Sequence, residues 1–543
     1  MRRIIQDEAG KNVCNFRPEV QALVDAYADS NAEPERYVKL RLSFEGEEFR
    51  DEITVPLSQL ENYDWLGKDV RCQLNPEMSP SKAKRYIACE VRKVLSSMTP
   101  RKQYRLKRLG WHMIEGIPVF NTGGGLICPP SFEGKEFDVE LESTSLSMDI
   151  DESLSEAEAI AGMLELVSLC PNAGRIILAK CLLYIMRAAY ADAWKSPCCC
   201  VFLHGKTGTK KTTLSAFLTQ MYNRDKGIAS LPRLNASISS AVAIIGEKSD
   251  CVVVLDDLFP SNSREIRRKQ EETLLEITRI IADAIEPARK RGNKVTKAQP
   301  TCGVLFTGEY LVGTGSTAVR LLPVEMTAPD GERLKEFQAQ PLMVSTFYHG
   351  FITWFVSNYF DVRESLKEWD HAYNGQHFAV HDRLKETHFF LNTAYAMLLQ
   401  YCLDKGVLSE QDAEVLHRSF RKLLTNLVRA QQERVEQGEV SEDERIDFLA
   451  RIRAMFHSGE IALAANPELF KDRNSRYDGV IHNGELCLRG DTLRRIFPGI
   501  PPEDVARGLL SKGILRRCSK DLQIQINSTG GKRFYAIPLD KLQ

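Results

Sequence analysis

Residues 201–214, VFLHGKTGTKKTTL, constrain the fold of this chain more than any other stretch. The apolar start predicts a buried strand, the glycine-rich middle a tight loop, and the end a helix. The stretch follows the phosphate-binding pattern G-x-x-x-x-G-K-[ST], with Gly205 at its start and Lys211 and Thr212 at its end. Lys210 stands where the pattern has its second glycine. A side chain there is costly only if the backbone must adopt a positive φ or touch the phosphate.

This loop predicts a nucleotide site in which backbone N–H groups and a lysine bind phosphates while a threonine hydroxyl binds Mg²⁺. The alternative is a glycine turn without a ligand. The residues predicted to bind the nucleotide are Gly205, Lys206, Thr207, Gly208, Thr209, Lys210, Lys211, Thr212 and Thr213.

A second pattern, CVVVLDDLF at residues 251–259, places Asp256 and Asp257 at the end of a predicted buried strand. We predict Thr212 and Asp256 as the Mg²⁺ ligands, and Asp257 as the catalytic carboxylate that polarises the attacking water. Asp257 stands where glutamate is commoner, so its reach is shorter. An ordinary strand that ends in a polar turn is the alternative. The two motifs together, 45 residues apart from Lys211 to Asp256, favour a nucleotide-binding site with Mg²⁺ over a coincidence of patterns.

Composition limits the class of protein. The chain has 543 residues, enough for two to four domains. We expect no membrane span, because no apolar run reaches about 18 residues, and no secretory signal, because the stretch MRRIIQDEAGKNVCNF has no apolar h-region. The 14 cysteines are scattered and form no C-x-x-C pair, so we expect a reduced, cytoplasmic protein. The net charge is −1, so nucleic-acid binding would depend on local basic clusters, such as the ten Lys and Arg residues within 82–108.

The order of patterns predicts an α/β motor between two other regions. Buried strands are predicted at 251–255, 303–306 and 321–326 with helices between them, which is typical of a parallel sheet with covering helices. Upstream, residues 37–44, 51–57, 70–75 and 85–91 alternate as strands do. The predicted segments are a β-rich N-terminal domain with a possible DNA contact at 1–130, an acidic linker at 131–156, the motor at 157–330, a helical region at 331–440 and a winged-helix-like C-terminal domain at 441–543.

Beyond Asp257 the sequence resembles a known family. A charged helical stretch, REIRRKQEETLLEITRIIADAIEP, is followed by a basic turn, ARKRGNKVTKAQ, then CGVLFTGE and GTGSTAVRLLPVEM. This order resembles AAA+ replicative helicases, in particular the self-loading, MCM-like helicases of mobile elements such as staphylococcal cassette chromosomes and pathogenicity islands. The upstream segment LGWHMIEGIPVFNTGGGLI resembles part of the N-terminal region associated with that family. The resemblance spans roughly residues 38–360 and is strongest over 200–325.

The resemblance implies roles for further residues. Thr307 matches the sensor-1 position, where a polar side chain orients the attacking water, with Glu309 as a lesser candidate. Arg320 matches an arginine that faces the γ-phosphate of a neighbouring subunit in a ring. A strand cap for Thr307 and a surface ion pair for Arg320 are the alternatives. The basic turn matches a hairpin that contacts DNA in a central channel, through Arg289, Lys290, Arg291, Lys294 and Lys297. Such runs are otherwise solvated loops.

Together these features predict an ATP-dependent DNA helicase that forms a ring, with a homo-hexamer and DNA as the implied partners. Single-stranded DNA would lie in the channel, and duplex origin DNA would bind the C-terminal domain. The competing hypothesis is a regulatory ATP switch that controls assembly of a DNA- or protein-binding complex. Lys210 and Asp257, which depart from the usual motifs, favour the switch. The basic turn favours the helicase. A combined helicase and primase is disfavoured, because no zinc-binding or primase-like acidic motif is present.

Overall fold

The computed structural model divides the chain into two units. The first comprises Met1–Phe259, Gln270–Leu311 and Arg320–Val428, and the second comprises Pro260–Lys269, Val312–Val319 and Arg429–Gln543. The structure describes residues 5–28, 30–44, 52–62, 65, 72–133, 135–142, 145–193, 195–222, 231–234, 237–259, 264–283, 289–291, 294–296, 301–312, 315–374, 380–438, 448–472, 476–497, 501–511, 513–516 and 521–542.

The N-terminal part of the first unit contains a five-stranded sheet in the order β3-β2-β1-β4-β8 and a three-stranded antiparallel sheet in the order β5-β6-β7. Strand β1 pairs antiparallel with β2 and parallel with β4, and β8, from within residues 131–156, pairs parallel with β4. The elements are β1 Phe16–Tyr27, β2 Glu35–Phe44, β3 Glu52–Pro56, α1 Pro80–Leu95, β4 Arg101–Leu106, β5 Gly110–Ile114, β6 Ile117–Asn121, β7 Leu126–Ile127 and β8 Val139–Leu141.

The strand predicted at residues 85–91 is wrong, because this segment lies within helix α1. Alternation of Ile87, Cys89 and Val91 suggested a strand. The helix begins at Pro80, whose fixed φ suits a first helical position. Its buried side chains recur at helical spacing and pack against the sheet core, whereas the polar side chains face solvent. The buried residues are Ala83, Ile87, Ala88, Val91 and Leu95.

The motor part of the first unit is built on a parallel four-stranded sheet in the order β10-β13-β9-β14. The strands predicted from apolar runs are confirmed here, and the runs are apolar because helices cover both faces of the sheet. The elements are α2 Glu156–Ser168, α3 Pro171–Ile185, α4 Arg187–Ala193, β9 Cys200–His204, α5 Lys211–Leu218, α6 Ile238–Glu247, β10 Val252–Leu258, α7 Arg264–Ala282, β11 Arg289–Arg291, β12 Lys294–Thr296, β13 Gly303–Gly308, α8 Gly315–Ala318 and β14 Leu321–Glu325.

A run of helices follows the sheet. Helix α10 is almost entirely apolar on its buried side, and α12 packs against α3. These helices are α9 Gly331–Gln338, α10 Leu342–Ser357, α11 Tyr359–Asn374, α12 Asp382–Asp404 and α13 Glu410–Gly438. None of the helices within the described ranges is both long and apolar enough to cross a membrane.

The second unit joins the C-terminal region to two short segments from the middle of the chain. Within this unit, the side-chain amide of Gln431 donates to the carbonyl of Ala318 at 2.6 Å. Its sheet has the order β15-β16-β17-β19-β18. The C-terminal elements are α14 Phe448–His457, β15 Leu463–Ala464, β16 Gly479–His482, β17 Glu485–Leu488, α15 Gly490–Ile496, α16 Pro502–Ser511, β18 Ile524–Ile526 and β19 Lys532–Pro538.

Candidate nucleotide site

The glycine-rich loop lies between the end of strand β9 and the first turn of helix α5, as the pattern predicts. Gly205 must be small, because a Cβ there would lie 2.8 Å from the carbonyl oxygen of Met326. Gly208 has a φ of +87°, which glycine adopts without strain. Lys210 also adopts the left-handed conformation, with φ 60° and ψ 25°. A non-glycine residue in this conformation costs about 1–2 kcal/mol, so Lys210 is the strained position of the loop.

The side chain of Lys211 is folded into the loop. Its ammonium group donates to the carbonyl oxygens of Gly205 at 2.7 Å and Lys206 at 3.0 Å, and to Oγ1 of Thr209 at 3.3 Å. Burial lowers the pKa of this ammonium group below its ordinary value, and the charge of Glu309 opposes that shift more than any other carboxylate. The Lys211 amine therefore lies among the loop atoms that would surround a terminal phosphate.

Hydroxyl groups from the loop helix and from β13 meet on one carboxylate. Thr212 Oγ1 donates to Asp256 Oδ1 at 2.8 Å, and Thr307 donates to the same oxygen. Strand β13 lies between β9 and β10 in the sheet, so Thr307 reaches Asp256 directly. The backbone N–H of Asp257 donates to Thr307 Oγ1 at 3.3 Å. Hydrogen bonds among four residues thus connect the two motifs and the predicted sensor position.

These oxygen atoms fit Mg²⁺. The ion prefers hard oxygen ligands and is commonly bound through one or two carboxylates together with substrate phosphates and water. Thr212 and Asp256 supply one hydroxyl and one carboxylate at hydrogen-bond distance from each other. Within the described part of the chain, no group of three or more His, Cys, Asp and Glu side chains is arranged to hold a metal ion by itself. A Mg²⁺ ion at this site would therefore complete its shell with phosphate and water oxygens.

Asp257 lies in an irregular part of its strand. The register of β10 against β13 shifts between Leu255 and Leu258, and Asp257 has a φ of 75°. The side-chain amide of Gln270 donates to the Asp257 carbonyl at 3.2 Å. Burial raises the pKa of the Asp257 carboxyl above its ordinary value, and the charge of Asp256 acts in the same direction. The strand thus turns at the residue that was predicted to be catalytic.

The loop and the strand ends enclose a cavity of about 250 Å³. It lies at the carboxyl edge of the parallel sheet, where ligands of open α/β sheets commonly bind. Across its mouth, Thr207 Oγ1 donates to Glu309 Oε1 at 2.7 Å. The lining residues are Thr207, Gly208, Lys210, Lys211, Thr212, Thr213, Asp256, Asp257, Leu258, Thr307, Gly308 and Glu309. The structure therefore brings most of the predicted loop residues together with Asp256, Asp257 and Thr307.

Arg320 does not join this cavity. It precedes β14, whose register with β9 runs from Leu321 opposite Cys200 to Glu325 opposite His204, so Arg320 lies at the amino edge of the sheet. Its guanidinium is bound to Asp283, with Nε and Nη2 each 3.1 Å from Oδ1. Arg383 contacts the same oxygen at 2.7 Å. In the described structure Arg320 thus forms an ion pair at the edge of the sheet opposite the cavity.

The predicted basic turn is a two-stranded antiparallel hairpin of β11 and β12, in which Arg289 lies opposite Thr296 and Arg291 opposite Lys294. It lies in the chain between the end of α7 and the start of β13 and forms a sheet separate from the four-stranded one. Lys297, the fifth residue predicted to bind DNA, lies outside the described residues.

A second buried contact at the amino edge was not predicted. Asp250, which precedes β10, is 1% exposed and has a φ of 54°. Its carboxylate accepts from the backbone N–H of Trp111 at 2.9 Å and from Arg187 Nε at 2.8 Å. Burial raises the pKa of Asp250 despite the opposing charge of Arg187. A Cβ on Gly110 would lie 2.1 Å from the Asp250 carboxylate, so the β5 strand depends on a glycine there.

Known proteins resemble this chain in structure and not in sequence. No family model matches the chain, and neither does the sequence of any curated protein. Among solved structures, "SCCmec type IV Cch - active helicase" is 11% identical, with 97% of this chain and 93% of that chain covered and a TM-score of 0.51.

Two further solved structures match less well. The apo C-terminal region of NrS-1 is 10% identical over 78% of this chain and 91% of that chain, with a TM-score of 0.26. The inhibitor-bound JCV helicase is 12% identical over 45% of this chain and 74% of that chain, with a TM-score of 0.22. These two scores are too low to indicate a common fold, whereas the first indicates that this chain has the fold of a protein described as an active helicase.

Proposed function

We propose that this protein is an ATP-dependent DNA helicase, a ring-forming AAA+ replicative helicase of a mobile element. The observation that carries the proposal is the convergence of Lys211, Thr212, Asp256 and Thr307 on one cavity at the carboxyl edge of the parallel sheet. These are the cation, hydroxyl and carboxylate groups that phosphoryl transfer from a nucleotide requires. The fold shared with the SCCmec helicase supports the same class of protein.

The residues of the chain have separate tasks in this proposal. Backbone N–H groups of the loop and the Lys211 amine bind phosphates, which requires the amine to exchange the carbonyls of Gly205 and Lys206 for phosphate oxygens. Thr212 and Asp256 would hold Mg²⁺, and the bound ion would supply positive charge beside the phosphate oxygens. Thr307 orients the attacking water, and Asp257 contributes a carboxylate beside it. Phosphoryl transfer depends mainly on positioning and charge, and these residues supply the types of group that it requires.

Assembly would complete the site. We propose that the chain forms a homo-hexameric ring in which Arg320 of one subunit contacts the γ-phosphate bound by its neighbour. The position of Arg320, at the sheet edge opposite its own cavity, supports a role between subunits. The hairpin residues Arg289, Lys290, Arg291, Lys294 and Lys297 would grip single-stranded DNA in the channel. The helices α15 and α16 and strands β18 and β19 would form a winged helix that binds duplex DNA at an origin.

The neighbouring lysines of the loop provide the test. Lys211→Ala should abolish ATP turnover and the unwinding of a forked duplex, because Lys211 is the lysine that directly precedes the hydroxyl residue proposed to bind Mg²⁺. Lys210→Ala should leave most turnover. Lys210→Gly should raise the free energy of unfolding by about 1 kcal/mol, because glycine relieves the left-handed strain. Turnover by steady-state phosphate release and stability by urea denaturation are the measurements. A dead Lys210→Ala protein with an active Lys211→Ala protein would contradict the assignment of the loop.

The strained Lys210 favours a second hypothesis, a regulatory ATP switch that binds nucleotide but turns it over slowly. The two functions differ in their response to DNA. A helicase should hydrolyse ATP faster with single-stranded DNA and should separate a forked duplex. A switch should do neither, and its oligomeric state should follow the bound nucleotide.

A further inference from the structure

Glu309, named from the sequence only as a lesser candidate for the sensor-1 role, is an exposed carboxylate in the nucleotide cavity. It follows the end of β13, two residues after Thr307, and its backbone N–H donates to the carbonyl of Leu258 at 2.9 Å. This hydrogen bond fixes the Glu309 backbone against β10. From there the side chain crosses the mouth of the cavity to Thr207. The position of the carboxylate is therefore fixed from both sides.

The contact with Thr207 identifies the end of the cavity that Glu309 faces. The lysine of a phosphate-binding loop reaches the β- and γ-phosphates. Here the Lys211 ammonium lies 2.7 Å from the Gly205 carbonyl and 3.0 Å from the Lys206 carbonyl, so the terminal phosphate of a bound nucleotide would lie beside this part of the loop. Thr207 is the next residue, and its hydroxyl donates a hydrogen bond to the Glu309 carboxylate, so Glu309 lies beside this part of the loop.

The other two carboxylates of the cavity are less suited to accept a proton from water at that end. Asp256 accepts the hydroxyls of Thr212 and Thr307 on one oxygen and belongs to the Mg²⁺ site. Asp257 lies at the bulge of β10, and its side chain is one methylene shorter than glutamate. Glu309 has the longer reach and starts from the neighbouring strand.

We propose that Glu309 is the general base of ATP hydrolysis, so that the catalytic carboxylate comes from the strand of Thr307 rather than from the strand of Asp256. This proposal rests on the proposed ATPase function. In the step, the oxygen of water forms a bond to the γ-phosphorus and the bond from that phosphorus to the β,γ-bridging oxygen breaks. ADP leaves with the electron pair, and the proton of the water passes to the Glu309 carboxylate. Thr207 holds this carboxylate in place until a phosphate binds.

Glu309→Gln separates this role from a structural one. The amide oxygen of glutamine can still accept the Thr207 hydrogen bond, but glutamine cannot accept the proton. We expect the full-length variant to bind a fluorescent ATP analogue within about threefold of the parent, while single-turnover hydrolysis falls by about 10²-fold or more. With Glu309→Ala, added formate should restore part of the hydrolysis in proportion to its concentration, because formate fits the space that the side chain leaves.

Glu325→Gln is the matched control, since Glu325 ends the parallel strand β14 at the same edge of the sheet and does not line the cavity. It should hydrolyse ATP at the parental rate. Near-parental hydrolysis by Glu309→Gln, together with an inactive Asp257→Asn protein, would overturn the role of Glu309 and leave the ATPase function intact. Absence of ATP binding and hydrolysis in the parent would instead overturn the proposed function itself.

Discussion

The two edges of the four-stranded sheet differ in what their charged groups contact. At the carboxyl edge, Lys211, Asp257 and Glu309 surround a cavity. At the amino edge, Arg320 and Arg383 share Asp283, and Arg187 is bound to Asp250. Charges at the first edge are arranged around space for a ligand, whereas those at the second are paired with each other.

This difference suggests that the two edges would have separate tasks, one in binding the nucleotide and the other in completing the catalytic site of a neighbouring subunit. In the proposed function, the carboxyl edge holds the groups with which one subunit would bind a nucleotide. The amino edge holds Arg320, which would have to exchange Asp283 for a phosphate before it could act on a neighbouring subunit. Arg383 makes that exchange less costly, because Asp283 would keep one cation when Arg320 leaves. The comparison therefore predicts that changes at the two edges have different consequences.

The largest effect is expected for Arg320→Ala. The variant should bind ATP nearly as the parent does but hydrolyse it about 10³–10⁵-fold more slowly, as expected when an arginine that contacts the transferred phosphate is removed. Mixed with an Asp256→Asn protein, which lacks a Mg²⁺ ligand instead, it should regain activity across the subunit boundary. Arg383→Ala, which removes the other cation on Asp283, should have a small effect on the rate. A mild defect in Arg320→Ala, or activity that survives dilution to monomers, would count against the ring.

A smaller effect, on stability rather than rate, is expected for Asp250→Ala. The substitution leaves Arg187 and the Trp111 N–H without their carboxylate, and loss of one partner of a buried pair costs about 3 kcal/mol or more. All five tryptophans belong to the first unit, so their fluorescence in urea follows its unfolding. Adding Arg187→Met should recover part of the loss, because no unpaired charge remains. An unchanged urea midpoint in Asp250→Ala would show that this contact contributes little.

The smallest effect is expected at the hairpin. Replacing Lys290 and Lys294 with alanine should weaken binding of single-stranded DNA about tenfold and lower the salt slope by about 1.4, or about 0.7 for each phosphate contact. Basal ATPase should survive, while its stimulation by DNA and the unwinding per ATP should fall. The measurement is unwinding of a forked duplex against phosphate release. Parental efficiency in the double variant would remove the hairpin from the mechanism and leave residues 82–108 or the C-terminal region as the DNA contact.

Local sequence patterns predicted those elements around the cavity whose structure is determined by residues close together in the chain. The apolar runs of β9, β10, β13 and β14 and the glycines of the loop are such features. Strand β1, Phe16–Tyr27, was not predicted, because its burial is irregular and its register shifts between Val20 and Ala22. Its partners β2 and β4 define it as a strand, and that pairing is not visible in its own residues.

The unpredicted parts of the site depend on contacts between distant residues. Thr207 and Glu309 are 102 residues apart, and Arg320 and Asp283 are brought together by the end of α7 and the start of β14. The backbone conformation of Lys210 could not be predicted either, because a lysine in place of glycine does not by itself indicate a positive or a negative φ. The structure shows a left-handed residue there. Residue types thus predicted the chemistry of the cavity, and the fold determined which residues meet.

Because the second unit is discontinuous in sequence, it cannot be removed by truncating the protein. A stop codon at residue 429 would not excise this unit, because Pro260–Lys269 and Val312–Val319 would remain in the truncated product. One of these segments follows β10, whose penultimate residue is Asp257, and the other follows β13, which is directly followed by Glu309. The truncation would also leave the Ala318 carbonyl without the amide of Gln431. Loss of activity in a shortened protein would therefore not identify the C-terminal region as the DNA-binding part, and point substitutions within it are the sounder genetic test.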